Sequence, residues 1–198
     1  MRRTKEDADK TKQELLNAAL SVFSRNGYTA SRLEDIARTA GVTRGAIYHH
    51  FGSKADLYLA LIEEASSIGN SAIDRAIEEG GTFVEILSRI LVYSFALLED
   101  DRRFRDVMAL QLTTPSIDAF SQRRYEEAQQ LVSSISGFFE LIIAQGALRQ
   151  DLDPTTAARA FLGYQNGLAS LWLFNRDEFS IKESASDLAG IFVHGIAG

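Results

Sequence analysis

The chain has 198 residues and a mass of 21.9 kDa, with 45% hydrophobic, 24% charged and 10% aromatic residues and a formal net charge of −6. Those proportions allow a self-standing core and exclude a disordered or collagen-like chain, and the lack of cysteine excludes a disulfide scaffold, a thiolate metal site and a cysteine nucleophile. The start from Met1 to Asp7 is polar and no run of about 18 apolar residues occurs, so a soluble, cytoplasmic protein is expected. With two prolines in the whole chain, few places force a helix to stop, which favours an all-α fold. The net charge hides an asymmetry. Residues 1–54 hold ten basic against six acidic residues, and the remainder holds eleven against twenty-one. A short basic module precedes an acidic body, and a basic module suits a polyanionic partner.

In chain order, a first helix is expected from about Ala8 to Asn26, with Leu15, Leu16, Ala19 and Phe23 on one stripe and Gly27 ending it. Ser31 and Glu34 have the spacing of a capping box for a short second helix that stops at Gly41. Thr43 is placed to cap a third, Arg44 to Phe51, which Gly52 ends. Ser53 and Asp56 open a fourth, which Leu57, Leu61, Ala65, Ile68 and Ala72 carry to Gly80-Gly81. Thr82 and Glu85 open a fifth helix, which reaches Asp100, and a sixth is expected from about Arg102 to Leu112, ahead of Thr114-Pro115. The seventh runs from about Ile117 to Leu148, with Phe120, Leu131, Ile135, Phe138 and Ile142 on one face. Asp153 and Pro154 begin the eighth, and Ser180 with Glu183 the ninth. No segment alternates with the period of a strand, and no repeat is visible.

Function concentrates in residues 33–51. Two short helices joined by Gly41-Val42-Thr43 have the sequence form of a helix-turn-helix. Ile36, Ala37, Val42 and Ile47 supply its wedge of core. The outer side of the second helix carries Arg44, Gly45, Ala46, Tyr48, His49 and His50, with little bulk at its N-terminal end, which suits the floor of a major groove. A helix N-terminus also turns free amides toward phosphate oxygens. Tyr48 equally suits a core edge with its hydroxyl in water. His49 and His50 point about 100° apart on a helix, so a shared metal ion is not expected. Lys54, at the start of the fourth helix, is expected to contact the DNA backbone.

The stretch from Ser31 to Leu57, SRLEDIARTAGVTRGAIYHHFGSKADL, resembles the DNA-binding motif of TetR-family transcriptional repressors. The resemblance covers about residues 8–62. The start Arg3-Thr4-Lys5-Glu6 and the run Thr43-Arg44-Gly45-Ala46-Ile47-Tyr48 are similar to the multidrug-efflux branch. It implies a nine-helix Ω-shaped homodimer, in which helices one to three bind operator DNA, helices four to seven hold an inducer and the last two helices pair between subunits. By that resemblance Arg44, Gly45 and Ala46 reach bases, while Thr43, Tyr48, His49, His50 and Lys54 mainly hold phosphates; Arg32 joins the DNA-binding set. The implied division is a DNA-binding domain over 1–53 and a ligand-binding and dimerisation domain over 54–198.

In the body, Phe161, Tyr164, Leu168, Leu171 and Trp172 on helix eight and Leu188, Phe192 and Ile196 on helix nine are expected to form an intersubunit four-helix bundle. Tyr93, Val107, Gln111, Ser134, Ile135, Phe138, Leu162 and Gln165 mix polar groups into apolar stripes and are expected to line a ligand site. With no cationic clamp among them, a hydrophobic or aromatic inducer is expected, with release from the operator as helix four swings. No cofactor is implied, and no metal or catalytic residue is assigned. The three histidines, His49, His50 and His194, come without an HExxH, a phosphate-binding glycine loop or a GxSxG elbow, so an enzyme is not expected. A helical protein-interaction module and a non-specific nucleoid binder are the competing readings, and an activator within the same family is compatible with the sequence.

Overall fold

A computed structural model describes residues 5–114 and 118–197, with the side chains of 118–124 and of Glu127 outside the description. Arg2, Arg3 and Thr4 of the basic start, and Pro115 and Ile117 at the expected boundary of helices six and seven, lie outside the described residues, as does the Phe120 side chain. The described residues form nine helices: α1 (Lys5–Ala30), α2 (Leu33–Ala40), α3 (Arg44–Phe51), α4 (Lys54–Glu78), α5 (Phe83–Asp100), α6 (Arg102–Thr113), α7 (Asp118–Ala144), α8 (Pro154–Phe174) and α9 (Ala185–Ile196). Among them the only pairing of extended backbone is an isolated antiparallel bridge between Leu148 and Ala197. No helix among the described residues is long and apolar enough to cross a membrane.

The chain divides into two compact units, Met1–Ser67 with Asp106–Ala119, and Ile68–Arg105 with Phe120–Gly198. In the first, Leu15, Ala19 and Phe23 of α1 lie on one helical stripe and are buried together with Ile36, Ile47, Leu57 and Leu61. Phe23, Tyr28 and Tyr58 form an aromatic cluster with ring centroids 5.2 to 6.4 Å apart. Gly27, at φ 73° and ψ 157°, interrupts α1 one residue after the expected end at Asn26. In the second unit Phe95, Phe139, Phe161, Tyr164 and Phe192 form a chain of ring contacts between 5.2 and 6.4 Å. Tyr164 donates its hydroxyl to the carbonyl of Leu188 at 2.7 Å, and the indole of Trp172 donates to the carbonyl of Phe179 at 3.1 Å.

The local start signals divide into those that cap and those diverted. Thr82 and Glu85 make the full reciprocal box, and Asp153 accepts from the Thr156 amide at 2.7 Å with Pro154 in the first turn. Ser53 accepts from the Asp56 amide at 3.1 Å. Ser31 caps nothing. Arg32 is the N-cap residue of α2, and the Ser31 hydroxyl donates instead to the carbonyls of Gly27, at 2.7 Å, and Val22. Thr43 holds the N-cap position of α3 without a side-chain cap. The Ser180 hydroxyl accepts from the Glu183 amide at 3.0 Å and donates to the Glu99 carboxylate, but residues 181–184 form a turn and α9 starts at Ala185, later than expected. α7 stops at Ala144, short of Leu148, because Gly146 takes φ 76°.

The bundle expectation for α8 and α9 is corrected in part. Phe161, Trp172, Phe192 and Ile196 are buried within the single chain, and Tyr164, Leu168 and Leu188 are half-buried there. Leu171, Phe174 and Ile191 are the large apolar residues of these helices left open, at 64%, 80% and 67% exposure.

Candidate nucleic-acid interface

α2 and α3 are eight residues each, too short to persist alone, so the surrounding packing must hold them. Ile36 and Ile47 are fully buried and Ala37 nearly so, which supplies the expected wedge. Gly41 adopts the left-handed conformation, φ 67° and ψ 25°, which a side chain would resist, and the Val42 amide then reaches the Ala37 carbonyl at 3.0 Å. The turn thus closes α2 and delivers the chain to Thr43, whose carbonyl accepts from the Ala46 amide at 3.0 Å.

With Ile47 and Phe51 turned inward, α3 presents Arg44, Gly45, Tyr48 and His49 to the outside and leaves Ala46 and His50 half-buried. Gly45 has no positive φ, and a Cβ placed there would meet only Thr43 Oγ1 within 4 Å, at an ordinary 3.7 Å. Packing does not demand glycine at this position, so its lack of a side chain is open surface. The Arg44 guanidinium lies over Tyr48, 5.3 Å from the ring centroid, and donates to its hydroxyl at 2.7 Å. It also pairs with Glu34 of α2 at 2.5 Å. The hydrogen bond to Tyr48 and then the Glu34 charge push the Arg44 pKa up. His49 and His50 meet edge-on at 5.2 Å. Arg32 and Thr43 are both exposed.

Lys54 differs from expectation. Its ammonium donates to the carbonyls of Tyr28 at 3.0 Å, Thr29 at 3.3 Å and Ser31 at 2.9 Å, and it lies 4.5 Å from the centroid of the Tyr28 ring. An ammonium has three donors. All three face carbonyls where α1 ends, so in the free chain this lysine ties α4 to the end of α1. Its removal from water pushes its pKa down. Neither this role nor the Glu34 to Arg44 pair was legible in the sequence, because each joins elements by a contact that no helical periodicity encodes.

The expected ligand-site residues fall in both units. Val107 is buried and Gln111 half-buried in the first. In the second, Ile135, Phe138, Leu162 and Gln165 are half-buried and Ser134 is exposed. Phe138 meets Phe83 edge-on at 6.2 Å. The Tyr93 hydroxyl is engaged, donating to Glu79 at 2.7 Å beneath the Arg75 guanidinium. Among the described residues no group of three or more metal-ligating side chains is assembled.

Residues 15–61 match the model of the family described as bacterial regulatory proteins, tetR family. Over nearly its whole length the chain is similar to the HTH-type transcriptional regulator AcrR of Shigella flexneri, 30% identical over 197 residues that cover 97% of this chain and 92% of that one. The chain belongs to the TetR family. The crystal structure of NalD, the secondary repressor of the MexAB-OprM multidrug efflux pump in Pseudomonas aeruginosa, superposes with a TM-score of 0.84 at 25% identity and covers 98% of each chain. The regulator FadR of Bacillus subtilis, solved in complex with stearoyl-CoA, superposes with a TM-score of 0.79 at 25% identity, covering 93% of this chain and 98% of that one. This TetR-family chain is a DNA-binding transcription regulator, and α2 with α3 is its helix-turn-helix.

Proposed function

We propose that this TetR-family regulator is a homodimeric repressor of a palindromic operator, released by a small hydrophobic or aromatic inducer. The observation that carries the reading is α3 itself. Its inner residues Ile47 and Phe51 are buried, while Arg44, Gly45 and Tyr48 stand open beside the helix N-terminus. Arg44, Gly45 and Ala46 read bases, and Arg32, Thr43, Tyr48, His49 and His50 hold the backbone. The reading head is residues 1–53 and the ligand-binding and dimerisation domain 54–198. Leu171, Phe174 and Ile191 are the apolar surface that a second copy covers, since large exposed apolar side chains on adjacent helices favour burial. A two-fold axis then sets the two copies of α3 about 34 to 36 Å apart, one turn of the duplex.

Inducer binding in the body changes that spacing and weakens operator affinity, and reciprocity requires the operator to weaken inducer binding by the same factor. The apolar character expected of the inducer is supported by Ile135, Phe138 and Leu162 in the second unit, which bring no cation. The similar FadR was solved with stearoyl-CoA, a ligand with a long apolar chain.

The test is a selection from random duplexes at graded salt with the purified protein. A retained palindrome with half-sites one turn apart is the expected result. A featureless pool that is lost at modest salt refutes it, because non-specific binding is carried by counterion release alone. For the inducer, calorimetry against aromatic compounds is expected to give binding that selected operator weakens. Tight binding of a small anionic metabolite only overturns the apolar reading.

A further inference from the structure

Arg44 occupies the first position of α3, and its guanidinium is already committed in the free chain. Nη1 pairs with Glu34 Oε1 at 2.5 Å, and Nη2 donates to the Tyr48 hydroxyl at 2.7 Å. These two nitrogens are the donors with which an arginine makes its paired contact to O6 and N7 of guanine. Glu34 reaches across the turn to do this. The carboxylate next to it, Asp35, is paired with Arg38 on its own helix. At 55% and 54% side-chain exposure, Arg44 and Glu34 form a pair that solvent weakens and a base edge can displace.

The exchange is selective by its chemistry. A base edge that offers two acceptors replaces the carboxylate and the phenol together. An edge that offers one acceptor, or a donor such as the amino group of cytosine, leaves a guanidinium nitrogen worse served than before. The freed carboxylate then faces the duplex, where it is repelled by phosphates and acceptor edges. Resting on the assignment of α3 as the base-reading helix, we propose that Glu34 is a specificity-determining residue of the reading head, which competes with DNA for Arg44 and admits only a base with paired acceptors. It acts through Arg44 and is a positioning residue.

The experiment compares the parent chain, Glu34→Gln, Arg44→Ala and the double variant. Each is titrated against the selected operator and against duplexes altered at single positions, beginning with the position that Arg44→Ala relaxes. Glu34→Gln is expected to lower the preference for the selected base there by about fivefold or more, the low end of what one paired arginine contact discriminates. Preferences at the other positions are expected to hold, and so is the thermal midpoint, which a purely structural role would move. In the Arg44→Ala background the same substitution is expected to leave base preference unchanged. An unchanged preference in the parent background overturns the proposal. So does an equal loss in both backgrounds, which makes Glu34 a bulk charge near phosphates. A parent chain without any preferred sequence refutes the base-reading assignment itself, and is seen before any variant is compared.

Discussion

Lys54→Met is a substitution for which the geometry gives a worked magnitude. The change keeps the aliphatic stem and removes three donors from carbonyls at the end of α1. The bond to Thr29 is long, 3.3 Å, and exposed, so it counts for little. Those to Tyr28 and Ser31, at 3.0 and 2.9 Å, are partly buried. Hydrogen bonds to charged groups contribute about 1.5 to 3 kcal/mol each, and at the lower end, with a discount for partial exposure, the two give about 2 to 3 kcal/mol. For a chain of this size that is a drop of about 4 to 12 °C in Tm. Differential scanning calorimetry reads the drop, and a salt titration of operator binding reads the role. A strut lowers Tm and leaves the salt slope at its parent value once the protein is folded. If Tm holds and the slope falls by about one unit, the ammonium is a phosphate contact and the assignment to α1 is wrong.

Further outcomes follow from the same contacts. Ile47→Ala removes a fully buried side chain from the wedge between α2 and α3 and is expected to cost about 2 to 5 kcal/mol in urea denaturation, with loss of operator binding at temperatures where the body stays helical. Retained stability would mean that the wedge does not hold α3. Thr82→Ala removes one half of the capping box at α5, with an expected cost of about 1 kcal/mol and faster hydrogen exchange at the Glu85 amide, while operator affinity is unchanged. The Tyr93 hydroxyl, followed by Arg75 and Arg89, holds the Glu79 carboxyl below the usual range. Because the folded value is depressed, the stability that this carboxyl contributes is complete above the unfolded value of about 4.3 and is lost as pH falls through the folded one. In Tyr93→Phe the Glu79 titration, followed by carboxyl carbon NMR, is expected to move up; an unmoved titration refutes the hydrogen bond.

The features legible before folding is considered are those whose physics is local. The two short helices, the left-handed glycine between them and the buried Ile36 and Ile47 were legible because turn conformation and helical periodicity act within a few residues. The caps at Thr82 and at Asp153 were legible for the same reason, since donor and acceptor lie three residues apart. Ser31 satisfies the same spacing and yet does not start a helix, because in the folded chain its hydroxyl finds the carbonyls of Gly27 and Val22. Ser180 does accept from the Glu183 amide, but it caps only a turn, and its hydroxyl also donates to Glu99, eighty-one residues away. Lys54 and Arg44 carry a charge that any reading notes, but whether that charge meets a carbonyl, a carboxylate or a phosphate depends on what folding brings within 3 Å. Periodicity likewise marked α8 and α9 as apolar without saying which side faces inward. A short-range cap and a long-range hydrogen bond differ by less than the strength of either, so local pattern cannot choose between them. The folded arrangement makes the choice, by fixing which partner is near.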